Sequence, residues 1–123
     1  MKICVSSQGN NLDADVDPRF GRCKYFLIVD SDSMDFETVD NENAMARGGA
    51  GIQAAETVAN KGCEVAITGN MGPNAFRTLS AAGVKVYTGA SGNVKNAIDS
   101  FKNGDLKETE NPTVGGHFGM GNR

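Results

Sequence analysis

A TGxxG pattern occurs twice in this chain, twenty positions apart, and it strongly limits the possible folds. It spans residues 68–72 after the apolar segment 64–68, and residues 88–92 after the apolar segment 84–87. Each copy precedes a stretch with helical spacing. In the second stretch the apolar residues recur at i, i+3, i+4 and i+7: Val94, Ala97, Ile98 and Phe101. Repeated strand, glycine turn and helix predict parallel strands joined by right-handed crossovers.

The rest of the chain adds three strands and one helix. Residues 25–30 form a nearly continuous apolar run, typical of a strand buried on both faces. Residues 35–39 alternate polar and apolar, so these two segments predict an antiparallel hairpin. Residues 3–6 predict the first strand, and a helix that follows the glycines at 48–51 ends near Gly62. We therefore expect an α/β fold: a mixed five-stranded sheet with three helices and an antiparallel hairpin at one side.

Length and charge restrict the class of protein. The 123 residues suit a single domain, which we place at residues 1–103, followed by a glycine-rich, flexible C-terminal tail at 104–123. A net charge of −3 argues against nonspecific binding to nucleic acid or membranes. No apolar run approaches the roughly 18 residues of a membrane span, and the first residues are typical of a strand rather than a secretion signal. We therefore expect a cytoplasmic protein.

The glycine-rich turns predict where an anion could bind. In an open parallel sheet the carboxyl ends of the strands meet at one edge, where helix N-termini present backbone N–H groups and the positive end of the helix dipole. The best candidates lie in the first TGxxG copy and just after it: Gly69, Asn70, Gly72, Pro73 and Asn74. If the first strand runs parallel to these strands, Ser6 and Ser7 end it at the same edge. For Gly89 and Gly92, a tight turn without a ligand is an equally good interpretation.

A second candidate region, residues 17–24, contains three cations and a thiol. The side chains of Arg19 and Arg22 suit an anion, and nearby positive charge lowers the pKa of a thiol. We therefore expect Cys23 to be the best sulfur ligand for a soft metal, with Cys4 and His117 as weaker candidates. The alternatives are a solvated turn and a cysteine that is only a small buried hydrophobe. The cysteines form no CxxC pair, so a disulfide framework or zinc ribbon is not expected.

Three motifs together resemble a known family: DPRFGRC at residues 17–23 with Tyr25 and Phe26, GGAGI at 48–52, and TGNMGPNA at 68–75. In this order and spacing they closely resemble the dinitrogenase iron–molybdenum cofactor-binding family over about residues 2 to 102. The family includes NifX-like carriers, the C-terminal region of NifB-like proteins and the molybdenum–copper orange protein. The resemblance implies a ribonuclease H-like fold and binding of a metal–sulfur cluster, and its motifs add further candidates: Phe20, Gly21, Gly48 and Gly49.

We interpret the chain as a carrier of an anionic metal–sulfur cluster, iron–sulfur or molybdenum-containing, for cofactor assembly or delivery. Such a carrier implies partner proteins that donate and accept the cluster. The alternatives are a metal-free module that binds a small anion or phosphate metabolite, and a scaffold whose tail contacts a partner. An enzyme is not expected, because one histidine and scattered serines offer no nucleophile–base set. A ribonuclease H-like nuclease is not expected either, because the first strand carries no acid.

Overall fold

The computed structural model describes residues 1–42 and 49–113. In these residues, five strands and three helices follow in chain order: β1 (Lys2–Ser7), β2 (Tyr25–Asp30), β3 (Phe36–Asp40), α1 (Ala50–Asn60), β4 (Val65–Ile67), α2 (Pro73–Ala81), β5 (Lys85–Tyr87) and α3 (Val94–Lys102). No helix in this described part has the length and apolar content to cross a membrane.

The strands form one mixed sheet in the order β3-β2-β1-β4-β5. β1 lies in the centre, antiparallel to β2 and parallel to β4, so that Cys4 is opposite Ile28 on one side and Ala66 on the other. β2 and β3 form the antiparallel hairpin, and β4 is parallel to β5. The predicted fold class is therefore confirmed: a ribonuclease H-like mixed sheet of five strands with three helices and a hairpin at one side.

Both faces of the sheet are covered, which explains the continuous apolar runs of its strands. On one face, α1 and α2 pack around a core that includes Phe26 and Ala66. On the other face, Ile3 and Leu27 lie under α3, whose apolar residues face the sheet at the predicted spacing: Val94, Ala97, Ile98 and Phe101. The sheet therefore lies between two separate hydrophobic cores, each covered by helices.

The parallel strands place their carboxyl ends at one edge of the sheet. β1 ends at Ser7, β4 at Ile67 and β5 at Tyr87, and α2 and α3 begin in the turns that follow β4 and β5. This is the edge at which ligands bind in open α/β sheets. Its loops position the candidate site.

β3 is more exposed than its sequence predicts. The alternation of polar and apolar residues suggests one buried face, but only Val39 is partly buried and the aromatic ring of Phe36 is 40% exposed. The reason is the position of β3 at the edge of the sheet, where it pairs with β2 alone.

The chain after α3 is hydrogen-bonded to β5 at the edge of the sheet. The Thr109 N–H donates to the Val86 O atom at 2.7 Å, and the hydroxyl oxygens of Thr109 and Thr88 are 2.7 Å apart. Glu108 forms a bridge with Tyr87. Residues 109 and 113 therefore make hydrogen bonds to β5 and to the turn after β4, and the flexible tail from residue 104 stays a prediction. Residues 114–123 lie outside the described part of the chain.

Candidate functional site

The loop of residues 17–20 pairs with the turn after β4, so the two predicted regions meet. The Asn70 N–H donates to the Pro18 O atom at 2.8 Å, and the Phe20 N–H donates to the Asn70 O atom at 3.3 Å. Gly69 is required at this contact, because a Cβ atom there would lie 2.6 Å from the Pro18 Cα atom. This pairing fixes the position of Phe20, which directly precedes Gly21 in the chain.

A buried polar network attaches this loop to the ends of β1 and β4. The Ser6 hydroxyl oxygen lies 2.7 Å from both the Asp17 carbonyl oxygen and the Thr68 hydroxyl oxygen. The Asp17 N–H donates to the Ser6 O atom at 2.9 Å. The Ser7 hydroxyl donates to the Gly9 O atom at 2.7 Å. Both serines are buried and bond within the loop, and neither lines the pocket between α1 and α2.

A pocket of about 240 Å³ lies between residues 21–22 and the N-terminal turns of α1 and α2. Six of the predicted binding residues line it: Gly21, Arg22, Gly49, Gly72, Pro73 and Asn74. Four further residues line it that were not predicted: Ala50, Gly51, Ile52 and Ala75. Ala50, Gly51 and Ile52 stand in the GGAGI motif and Ala75 ends the TGNMGPNA motif, so the sequence carried a signal for all four.

Glycine shapes the start of both helices at the pocket. Gly49 is the N-cap of α1 and has a φ of 74°, in the left-handed region that favours glycine. Gly72 is the N-cap of α2, and Pro73 follows in its first turn. Neither N-cap residue offers a side-chain hydrogen bond to its helix. The first turns of both helices therefore line the pocket without a side-chain cap.

The pocket favours negative charge. None of the described residues that line it is acidic, and Arg22 is exposed at its wall. The dipoles of α1 and α2 place partial positive charge at the same point. Arg19 lies outside this lining: its Nε atom is 3.4 Å from the buried carboxylate of Asp17, and its side chain is 67% exposed. An anion in the pocket would therefore meet Arg22 and two helix N-termini.

The second TGxxG copy is occupied by the protein itself. At the start of α3, the Val94 N–H donates to the Ala14 O atom at 2.9 Å and the Lys95 N–H donates to the Leu12 O atom at 3.0 Å. The Asn93 side chain accepts the N–H of Asn96 at 2.8 Å. Since these partners fill the helix start, the interpretation of the second copy as a structural turn fits the geometry better than an anion site.

Cys23 is not the activated thiol that its neighbours predict. Its side chain is fully buried, and the thiol donates to the Phe20 O atom at 3.3 Å. Burial and, after it, the Asp17 carboxylate raise the pKa of Cys23 to about 12. The expectation of a lowered pKa is wrong because Arg22 and Lys24 are exposed, whereas Cys23 between them lies in the core.

Cys4 and Phe20 belong to the same hydrophobic core as Cys23. Cys4 is fully buried in the same core, where burial and its neighbour Cys63 raise the pKa of its thiol. Phe20 packs on Phe26 with ring centroids 5.0 Å apart. Within residues 1–42 and 49–113, no group of three or more His, Cys, Asp or Glu side chains could hold a metal ion. Gly48 and His117 lie outside the described residues.

Asn41 holds the pocket loop in place and was not predicted. Its side-chain amide donates to the Gly21 O atom at 3.1 Å and to the Cys23 O atom at 2.9 Å. Asn41 follows β3 directly, and twenty residues separate it from Gly21. A contact over this distance leaves no signal in the local sequence.

The chain matches one protein-family model over most of its length. The model of the dinitrogenase iron–molybdenum cofactor family matches residues 1–104. The chain belongs to this family. The resemblance carried by the three sequence motifs is thereby confirmed.

Two solved structures and one sequence relative are similar to this chain. The apo form of the orange protein from Desulfovibrio gigas superposes with a TM-score of 0.89 at 40% identity, over 91% of this chain and 95% of that chain. A Thermotoga protein assigned to NifB gives a TM-score of 0.77 at 43% identity, over 87% of this chain and 91% of that chain. An uncharacterised protein of Methanocaldococcus jannaschii is 30% identical over 89% of this chain and 92% of its own length. The family is of a cofactor-binding rather than a catalytic type.

Proposed function

We propose that this protein binds an anionic metal–sulfur cluster in the pocket between α1 and α2 and carries it for cofactor assembly or delivery. The observation that supports this most directly is the meeting of two uncapped helix N-termini with Arg22, in a lining without acidic residues. Family membership supports the class of cargo, because the family is described by the iron–molybdenum cofactor, a metal–sulfur cluster. The cluster, iron–sulfur or molybdenum-containing, is the cargo of the protein.

The size and donors of the pocket fit a compact inorganic anion. Pockets for drug-sized ligands measure about 300–1,000 Å³, and this pocket of about 240 Å³ is smaller. Sulfide ligands on the surface of a cluster accept hydrogen bonds from backbone N–H groups and from a guanidinium. The residues proposed to hold the cargo are the six predicted ones in the pocket lining: Gly21, Arg22, Gly49, Gly72, Pro73 and Asn74.

The cluster is proposed to be held without a cysteine ligand. A thiolate is the form that binds a soft metal, and a buried thiol with a pKa near 12 stays protonated at neutral pH. Ligation by Cys23 would also require its side chain to leave the core. Hydrogen bonds and charge alone allow the cargo to dissociate, which a carrier needs in order to pass it from a donor protein to an acceptor protein.

Anaerobic reconstitution tests this function. We expect protein incubated with tetrathiomolybdate and copper, or with iron and sulfide, to retain metal and visible absorption after desalting. Arg22→Gln should weaken cluster binding by about tenfold to 150-fold, since a charge-assisted hydrogen bond contributes about 1.5–3 kcal/mol. Arg77→Gln is the matched control, because it removes the same charge from an exposed position of α2 outside the pocket lining.

Two outcomes would count against the proposal. Absence of bound metal under both conditions would refute cluster carriage. Equal loss of retention in Arg22→Gln and Arg77→Gln would show that net charge, not the pocket, holds the cluster. Inorganic phosphate serves as a competitor: if it raises the melting temperature while no cluster binds, the metal-free anion module replaces the carrier.

A further inference from the structure

The outer edge of β3 presents a row of backbone groups that β2 does not use. The Asp30 N–H donates to the Asp35 O atom at 2.8 Å, and the Asn41 N–H donates to the Lys24 O atom at 3.0 Å. Hydrogen-bonded pairs alternate along an antiparallel ladder, so every second residue from Asp35 to Asn41 bonds to β2. The N–H and C=O groups of the residues between them therefore point away from β2: Phe36, Thr38 and Asp40.

These three residues leave room for a further strand. All three are exposed, and within residues 1–42 and 49–113 their outward backbone groups have no hydrogen-bond partner. The Thr38 hydroxyl lies 3.5 Å from the Asn10 O atom, a contact that uses the side chain and not the backbone. The 40% exposed ring of Phe36 offers apolar area for a cross-strand contact. The edge therefore has the features of a surface for strand addition.

The charge of this edge selects its partner. Residues 30–42 contain no lysine or arginine and six acidic residues: Asp30, Asp32, Asp35, Glu37, Asp40 and Glu42. Two nearby lysines are already engaged, because the Lys61 Nζ atom is 2.9 Å from the Glu37 carboxylate and the Lys2 Nζ atom donates to the Lys61 O atom at 3.1 Å. Asp35 and Asp40 form no ion pair with a described residue. Opposite charges across two strands stabilise their pairing, whereas a second copy of this chain would bring two acidic edges together.

The edge also ends beside the pocket. Asp40 directly precedes Asn41, whose amide donates to the Gly21 and Cys23 O atoms on either side of Arg22. A strand that pairs with β3 therefore reaches the loop that carries Arg22.

We propose that the edge of β3 binds an extended, basic segment of a partner protein by strand addition. The outward groups of Phe36, Thr38 and Asp40 supply the backbone hydrogen bonds, and the carboxylates of residues 30–42 supply the preference for lysine or arginine. The inference stands on the edge alone, so it does not depend on the cargo of the pocket.

The probe is an acetylated and amidated peptide of alternating lysine and threonine, added to the ¹⁵N-labelled full chain. We expect it to shift the amide signals of Phe36, Thr38 and Asp40. At a peptide concentration roughly ten times its Kd, hydrogen exchange of these three N–H groups should slow by about tenfold. Exchange of the Glu37 and Val39 N–H groups should change less, because they already bond to β2.

Two control peptides separate pairing from simple attraction. A peptide of alternating glutamate and threonine keeps the backbone and reverses the charge, and we expect it not to bind. The lysine peptide with N-methyl groups on alternate residues keeps the charge but loses the backbone donors of one edge. We expect it to bind at least about threefold more weakly, since each lost hydrogen bond contributes about 0.5–1.5 kcal/mol.

Variants of the protein locate the charges. Asp35→Asn combined with Asp40→Asn should weaken binding of the lysine peptide by about threefold to tenfold, because each exposed ion pair contributes little. Glu108→Gln combined with Glu110→Gln is the matched control. It removes the same charge from exposed residues beside β5, at the opposite edge of the sheet, and should leave binding unchanged.

Several results would overturn the proposal. No amide shift with the lysine peptide at mM concentration, or shifts only outside β3, would exclude this surface. Equal binding of the glutamate or the N-methylated peptide would exclude charge selection or backbone pairing, respectively. Equal losses in the two double variants would show that net charge alone attracts the peptide. A dimer that forms through β3 with rising protein concentration would assign the edge to a second copy of the chain.

Discussion

Gly21 and Gly51 approach so closely that a Cβ atom on Gly21 would lie 3.0 Å from the Cα atom of Gly51. The contact is between backbones, so neither partner can rotate away as a flexible side chain would. It places the segment that carries Arg22 directly against the first turn of α1. Because both glycines line the pocket, this contact fixes one wall of it.

Gly21→Ala is therefore expected to separate the loop from α1. Overpacking of this kind costs about 1–3 kcal/mol in the free energy of unfolding, and the displaced loop should also lose cluster retention. Urea denaturation and metal analysis after reconstitution measure the two effects. Gly51→Ala is the control, since its Cβ atom would meet the Ala75 Cβ atom at an ordinary 3.5 Å. Stability in Gly51→Ala equal to or below that of Gly21→Ala would contradict the backbone contact.

Gly49→Ala should weaken cargo binding more than its effect on stability explains. An alanine at φ 74° costs about 1–2 kcal/mol in the free energy of unfolding and shifts the first N–H groups of α1. Gly62→Ala is a matched control, because Gly62 has a φ of 79°, also has open space around its Cα atom, and follows the other end of α1. We expect similar losses of stability in urea titrations and a loss of cluster retention in Gly49→Ala alone. Equal retention in both would remove the N-terminus of α1 from the site.

Ser6→Ala should destabilise the loop that supports the pocket. The change leaves the buried Asp17 carbonyl and Thr68 hydroxyl short of a partner, which costs about 1–3 kcal/mol. Thermal unfolding gives the size of the effect. Thr57→Ala is the control, since the Thr57 hydroxyl bonds only to a carbonyl of its own helix, and its loss should cost less than about 0.5 kcal/mol. A double-mutant cycle with Thr68→Val should show coupling; strict additivity would contradict a shared network.

The free energy of unfolding should fall at alkaline pH because of Cys23. Burial raises the pKa of this thiol to about 12 in the folded protein, against about 8.5 in the unfolded chain. Above the unfolded value only the unfolded chain loses the proton, so the Cys23 contribution falls by about 1.4 kcal/mol per pH unit until the folded pKa is reached. The stabilisation is fully present below about pH 8 and is lost as the pH rises.

Urea titrations of the wild type and Cys23→Ala across this pH range isolate that contribution, because the other groups titrate in both proteins. The difference between their free energies of unfolding should shrink as the pH rises above about 9. Parallel pH dependences would show that the Cys23 thiol is not buried in solution.

The sheet and helices could be predicted from the sequence because apolar runs alternate with glycine turns and helical spacing. In α3, the spacing of Val94, Ala97 and Ile98 alone identifies the face that meets the sheet. The TGNMGPNA motif likewise locates the start of α2. These signals are local, so they can be recognised without knowledge of the tertiary structure.

Sequence reasoning failed where contacts between distant segments of the chain determine the structure. Arg22 and Lys24 are adjacent to Cys23 in sequence, but both are exposed in the turn before β2 whereas Cys23 is buried, so their charge lies in solvent and the thiol in the core. Within residues 105–113, the hydrogen bonds of Thr109 and Thr113 to distant strands and turns leave no local signal. Composition alone shows only that the segment is poor in apolar residues.

The carbonyl oxygens of Leu12 and Ala14 accept the first N–H groups of α3, which limits the number of anions that one chain can bind. The chain contains two turns of the same pattern, and a symmetrical use of both would allow two anions for each molecule. Because the protein's own backbone competes for the second helix start, a second anion would first have to displace residues 12–14. We therefore expect titrations to saturate at one cargo per chain.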